Sequence, residues 1–120
     1  MRLIVVFALA SLLTFADSWS GVLVDGKCYA AEQRNVNPHD SLTNVDRDRY
    51  QEIWYCSPNA KTKSFTVVQQ NGLNLNLDAA GNAKAAGLVR NAGKKSLFSV
   101  AVTGQMTGDI VQVNTISKLN

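Results

Sequence analysis

Residues 82–93 read N-A-K-A-A-G-L-V-R-N-A-G, and the rest of the chain is organised around them. Asn82 is placed to cap a helix, its side-chain oxygen accepting from the free N–H groups of the first turn. Ala83, Ala85 and Ala86 have the highest helix propensity of any residue type. Ala85, Leu88, Val89 and Ala92 fall at i, i+3, i+4 and i+7, a single apolar stripe, with Lys84 and Arg90 off it. Gly93 suits the left-handed end of the helix, and Lys94 and Lys95 suit its negative pole. Gly87 weakens the interior by about 1 kcal/mol, and so small a residue there fits the close approach of a strand. A helix this short needs a sheet to lie against.

Alternating segments flank it on both sides. Residues 65–70 and 73–77 precede it, joined by Asn71-Gly72, whose residue types suit two turn positions of positive φ. Leu73, Leu75 and Leu77 alternate with Asn74 and Asn76, which predicts one buried and one wet face. Residues 97–103 follow the helix, with Phe98, Val100 and Val102 on one face. Residues 104–109 hold two glycines and make a turn; residues 110–116 return with Val111 and Val113 aligned. Ile116 is out of phase with that pair, which predicts a bulge near Asn114 or Thr115. The first strand is W-S-G-V-L-V, residues 19–24, with Trp19, Gly21 and Leu23 on one face. Gly21 marks a bulge or a sharp coil, and Asp25-Gly26 reads as the turn closing the strand. The order β-β-β-α-β-β gives the fold class: mainly β, a small five-stranded OB-fold-like Greek-key barrel with one helix between strands 3 and 4.

The N-terminus has the pattern of a signal peptide. Arg2 supplies the positive start, residues 3–13 are apolar, and Thr14-Phe15-Ala16 offers small residues for cleavage after Ala16, with Ser18 the alternative. The apolar run is too short to span a bilayer comfortably and no stop-transfer pattern follows it. The expected organisation is therefore a signal peptide over residues 1–16 and a single OB-like domain over residues 17–120. Losing Arg2 leaves eleven basic against nine acidic side chains, a net charge of about +2. So mild and scattered a charge excludes a dedicated nucleic-acid surface. The densest basic spot is Arg90, Lys94 and Lys95, which reads as a solvated helix end or as a polyanion contact.

Residues 27–63 form a long polar insertion rich in turn formers, and a loop of that length carries some structure of its own. Tyr50, Ile53 and Trp54 at i, i+3 and i+4 predict a short helix over residues 46–55, which drops Tyr50 and Trp54 onto the domain. That helix also brings Cys56 to Cys28. An exported chain with an even pair of cysteines reads as one disulfide, Cys28 to Cys56, with Trp54 and Tyr55 packed on it. Two cysteines without a C-x-x-C and a single histidine, His39, do not supply the four ligands of a zinc site. No metal and no cofactor is expected.

The segments W-S-G-V-L-V-D-G-K-C, C-S-P-N-A-K-T-K-S-F, L-D-A-A-G-N-A-K-A and V-A-V-T-G-Q-M-T-G-D-I-V-Q-V resemble a family of small exported bacterial OB-like domains of uncharacterised function. The resemblance covers nearly all of the chain after the leader. It implies fold and export, and carries over no catalytic residue.

No constellation of residues spells out chemistry. His39 sits in N-P-H-D within a polar loop, without a nucleophile assigned to it. Asp46-Arg47-Asp48-Arg49 alternates in sign and neutralises itself, and it lacks the D-x-D-x-D-G spacing of a calcium loop. The face of strands two and three carries Asn74 and Asn76 in place of the aromatic platforms that bind single strands. The leading expectation is an exported non-enzymatic binding or interaction module of the cell envelope, monomeric, with an envelope protein or a small ligand as partner. The alternatives are an enzyme with a pocket around Asp25, His39 and Asp48, and a nucleic-acid or polyanion binder using Arg90, Lys94, Lys95 and nearby lysines. For single-stranded DNA, negligible affinity is expected at physiological salt.

Overall fold

The computed structural model describes residues 16–34, 45–92 and 97–119; of Arg34 and of residues 45–48 it describes the backbone alone. The elements run β1 (Asp17–Asp25), α1 (Gly26–Arg34), α2 (Val45–Tyr55), β2 (Phe65–Val68), β3 (Asn74–Leu77), α3 (Ala79–Ala92), β4 (Phe98–Thr107) and β5 (Ile110–Lys118). The strands close into a barrel in the order β1-β2-β3-β5-β4, with β4 returning to β1. Every pairing is antiparallel except β3 with β5. Five strands closed in this order, with a helix between the third and fourth, make the chain an OB-fold-like barrel.

β1 serves two neighbours. Asp17 to Leu23 pair with β4, and Val22 to Asp25 pair with β2. The ladder to β4 is unbroken, so Gly21 is not a bulge but a point of close approach. A Cβ there would stand 2.4 Å from the carbonyl oxygen of Val68, which only glycine avoids. The bulge lies on β5: Thr103 pairs with Thr115 and Gly104 with Val113, leaving Asn114 as the extra residue. This is the position the phase of Ile116 indicates.

Twelve side chains fill the barrel, among them Leu23, Phe65, Val67, Leu75, Leu77, Phe98, Val100, Val102, Val111 and Val113. Ala85 and Val89 of α3 complete this core, while Leu88, expected inside, is half-buried at its margin. The buried line of α3 is Gly81, Ala85 and Val89, each four residues apart, which leaves Leu88 beside it; the helix also begins earlier than expected. Asp78 is the cap: its Oδ1 accepts from the Gly81 N–H at 2.8 Å, and its carbonyl accepts from the Asn82 N–H. Asn82 instead holds the helix to the sheet, its Oδ1 accepting from the Phe65 N–H at 2.9 Å. No atom lies within 4 Å of a Cβ built on Gly87, so no strand approaches there.

The β2–β3 connection also differs from the two-residue expectation. The Gly72 N–H donates to the Gln69 carbonyl at 2.8 Å and the Gln69 N–H to the Leu73 carbonyl at 2.9 Å. Gln70 and Asn71 therefore take the centre of the turn, and Gly72 follows in the left-handed region at φ 90°. β2 ends at Val68, and Leu73 falls outside the ladder, 61% exposed, whereas Leu75 and Leu77 are inside. β4 runs to Thr107, four residues beyond expectation, and the turn contracts to Gly108-Asp109.

The polar insertion is more structured than its composition suggests. α1 was not anticipated. Its cap is Asp25, whose Oδ1 accepts from the Cys28 N–H at 3.0 Å, so Asp25-Gly26 starts a helix where a turn was expected. α2 matches the expected helix. Together α1 and α2 build a second, smaller core on the outside of the barrel from Val24, Tyr29, Ile53, Cys56 and Val68. Cys28 and Cys56 are joined by a disulfide with a Cα–Cα distance of 5.6 Å.

Candidate functional site

The outer face of β2 and β3, which OB-folds commonly use for ligands, is covered by the chain itself. Thr66 and Val68 point outward yet are 4% and 2% exposed. The Asn74 side-chain N–H donates to Gln33 of α1 at 2.9 Å, and the Thr66 hydroxyl donates to the Asn76 side-chain oxygen at 2.8 Å. The binding surface therefore has to be sought at the margins of this cover.

One concave surface lies along α2. Buried Ile53 and Cys56, at i and i+3, together with the disulfide, fix which side of α2 faces the barrel. Tyr50 and Trp54 are turned outward, 52% and 53% exposed, and Tyr55 is more exposed still. These aromatics do not pack on the disulfide as the sequence suggested; Tyr29 does the burying instead, and it is 1% exposed. Between α2 and the outer wall of β1 is a groove of about 380 Å³, lined among others by Ser20, Val22, Tyr50, Ile53, Gln70 and Leu119. Arg49 closes one end, its Nη2 donating to the Gln70 carbonyl at 3.3 Å. The Leu119 N–H donates to the Ser99 carbonyl at 2.8 Å, which fixes the opposite wall.

Among the described residues that line the groove, Ser20 and Ser99 carry hydroxyls and Tyr50 a phenol, and none is a histidine, carboxylate, lysine or cysteine. Nearby, burial raises the pKa of the Tyr29 phenol, Glu52 raises it further, and Arg49 acts in the opposite sense. The Tyr29 hydroxyl is buried without a hydrogen-bond partner among the described residues. Among those residues, no three His, Cys, Asp or Glu side chains gather as metal ligands would.

A second concave surface, about 830 Å³ and wide open, lies between the segment before β2 and α3. Lys61, Lys63 and Arg90 rim it, and Ala79, Ala83 and Ala86 floor it.

The residues singled out in the sequence are distributed as follows. Cys28 and Cys56 are bonded. Arg90 is exposed on α3, while Lys94, Lys95 and His39 lie outside the described residues, as do the side chains of Asp46 and Asp48. The Asp25 carboxylate caps α1 through Oδ1 and accepts from the Thr62 hydroxyl through Oδ2 at 3.1 Å. Lys61 and Lys63 share a cleft with Arg90, a grouping the sequence reading does not name. Their alternation about Thr62 was the available signal, but nothing linear places them beside α3. Comparisons of the chain with protein-family models, with curated proteins and with solved structures find no match.

Proposed function

We propose that the chain is an exported, non-enzymatic binding domain of the bacterial cell envelope, with the groove between α2 and β1 as its ligand site. The observation that carries this is the groove itself: apolar walls from Val22, Ile53 and Leu119, with the exposed Tyr50 ring in its lining. A concave, mostly apolar surface with a few fixed polar groups is the usual form of a ligand site. The covered β2–β3 face supports the same choice, because it leaves the α2 margin as the open apolar surface there.

Export is supported by Arg2 and the apolar run that follows it, and by the disulfide, which persists in oxidising compartments. Among the described residues no helix is long and apolar enough to cross a membrane. The register favours leader removal after Ala16: Asp17 and Ser18 already pair with Gly104 and Thr103, so a cut after Ser18 would shorten β1. The resemblance to small exported OB-like domains points the same way.

The test is a panel of aromatic fragments and short apolar peptides, followed by amide shifts in two-dimensional NMR. Binders that shift Ser20, Val22, Tyr50, Ile53 and Leu119 together are expected, with affinity lowered about tenfold in Tyr50→Ala, the effect of losing a modest aromatic anchor. A panel without binders, or binders that map elsewhere and ignore Tyr50→Ala, overturns the assignment.

A further inference from the structure

We infer that the cleft between residues 59–64 and α3 is a second, independent binding site, for a linear polyanion whose charged groups are phosphates and which carries no aromatic bases.

Three cations, two from the segment before β2 and one from α3, face one cleft, and none of the described residues that line it is a carboxylate. Lys61 and Lys63 flank Thr62, which is 5% exposed, while both lysines are exposed and line the cleft. Their backbone is held in place beforehand. The Thr62 hydroxyl donates to Asp25 and accepts from the Asn59 N–H at 3.0 Å, while the Lys61 N–H donates to the Asn59 side-chain oxygen at 2.8 Å. The Thr62 N–H returns to the Asn59 carbonyl at 3.0 Å. A ligand therefore meets lysines on an ordered support and does not have to order a loop on binding.

Arg90 extends the row. Asn82, which binds the Phe65 N–H, marks the end of α3 nearest Lys63. Eight residues on, at 1.5 Å each, Arg90 stands about 12 Å farther along the helix axis. Charges spread over that length match repeated anionic groups better than a single ion. Between them the alanine floor keeps the cleft low, so a chain can lie in it. None of the three side chains has an ion pair among the described residues. The ligand is a polymer without bases because no described residue of the lining is aromatic, and stacking is what fastens single-stranded nucleic acid.

The experiment is a calorimetric titration of the full chain with linear polyphosphate, and with a single-stranded oligonucleotide of equal phosphate number as the base-bearing control. Lys61, Lys63, Arg90 and the remote Lys118 are all exposed, so charge reversals at them leave the fold intact, and melting curves verify this. Lys61→Glu/Lys63→Glu and Arg90→Glu should each weaken polyphosphate binding about tenfold or more at low salt, with Lys118→Glu nearly unchanged. Three phosphate contacts should give a log–log salt slope of about −2, using the single-strand coefficient. The inference fails if polyphosphate does not bind at low salt, or if Lys118→Glu weakens it as much as the cleft variants. It also fails if the oligonucleotide binds more tightly, which would indicate a stacking surface elsewhere.

Discussion

The barrel interior and the cluster under α1 and α2 share one wall, β1 and β2, but are stabilised differently. On that wall Leu23 and Val67 face inward while Val24 and Val68 face outward. The inner cluster joins all five strands and α3, and burial of apolar surface is enough to account for it. The outer cluster has five buried members, and several of the ties that hold its cover gather at one junction. There the disulfide, the Asp25 N–H to the Cys56 carbonyl at 2.8 Å, the Gly26 N–H to the Ser64 carbonyl at 2.9 Å and the Thr62–Asp25 contact all meet. A small apolar cluster supports two short helices only when their ends are tied.

The largest effect that separates the regions is expected at Phe98, 2% exposed in the barrel core. Phe98→Ala should cost about 3–5 kcal/mol, the lost transfer energy plus the cavity. Urea titration should show one transition, shifted as a whole, because the outer cluster loses its wall when the barrel opens. A change under about 1 kcal/mol would mean that the barrel core is not what holds the molecule together.

The disulfide comes next. Cys28 and Cys56 are 28 residues apart, and closing a loop of that size contributes on the order of 3 kcal/mol in the chain-entropy model. In Cys28→Ser/Cys56→Ser, hydrogen exchange should accelerate through α1 and α2 while β2, β4 and β5 stay protected. Equal loss of protection in the strands would make the two regions one cooperative unit. Trp54 is a poor reporter for this experiment, since it is already half-exposed in the bonded state.

The same contrast explains what could be read in the sequence. Leu75 and Leu77, Val100 and Val102, and the phase break at Ile116 announce the barrel through local period, so strand number, helix position and the bulge at Asn114 were legible. α1 was not. Its fully buried side chain is Tyr29 alone, too little to make a stripe, and Asp25-Gly26 has the same composition whether it turns a strand or caps a helix. Alternation placed Leu73 beside Leu75 without saying where the ladder ends; the bonds of the Gln69–Leu73 turn decide that. Tyr50 and Trp54 read as an inward face in the sequence because the period alone does not fix which side of a helix is anchored. The groove draws its walls from β1, α2, the β2–β3 turn and Leu119, and no linear motif gathers those segments.

The smallest effect probes the outer cluster from within. Tyr29 has its pKa raised above the ordinary 10.0, first by burial and then by Glu52, with Arg49 opposing. Below that ordinary value the phenol is protonated in both folded and unfolded chains, and its full contribution to stability is present. As pH rises past it, the unfolded chain releases the proton first while the folded chain retains it. Stability therefore falls, and goes on falling until the pH passes the raised folded value. Tyr29→Phe removes that loss. Because the hydroxyl has no hydrogen-bond partner among the described residues, its removal should change stability by less than about 1 kcal/mol at neutral pH. Urea midpoints measured at neutral pH and above pH 10.0 should show the parent losing more stability than Tyr29→Phe. Equal alkaline losses in the two proteins would mean that the phenol ionises as freely as in the unfolded chain and that the outer cluster does not enclose it. Where the parent does lose more, hydrogen exchange locates the loss. Faster exchange confined to α1 and α2 shows the cover opening on its own, whereas faster exchange in the strands as well shows the outer cluster drawing the barrel with it.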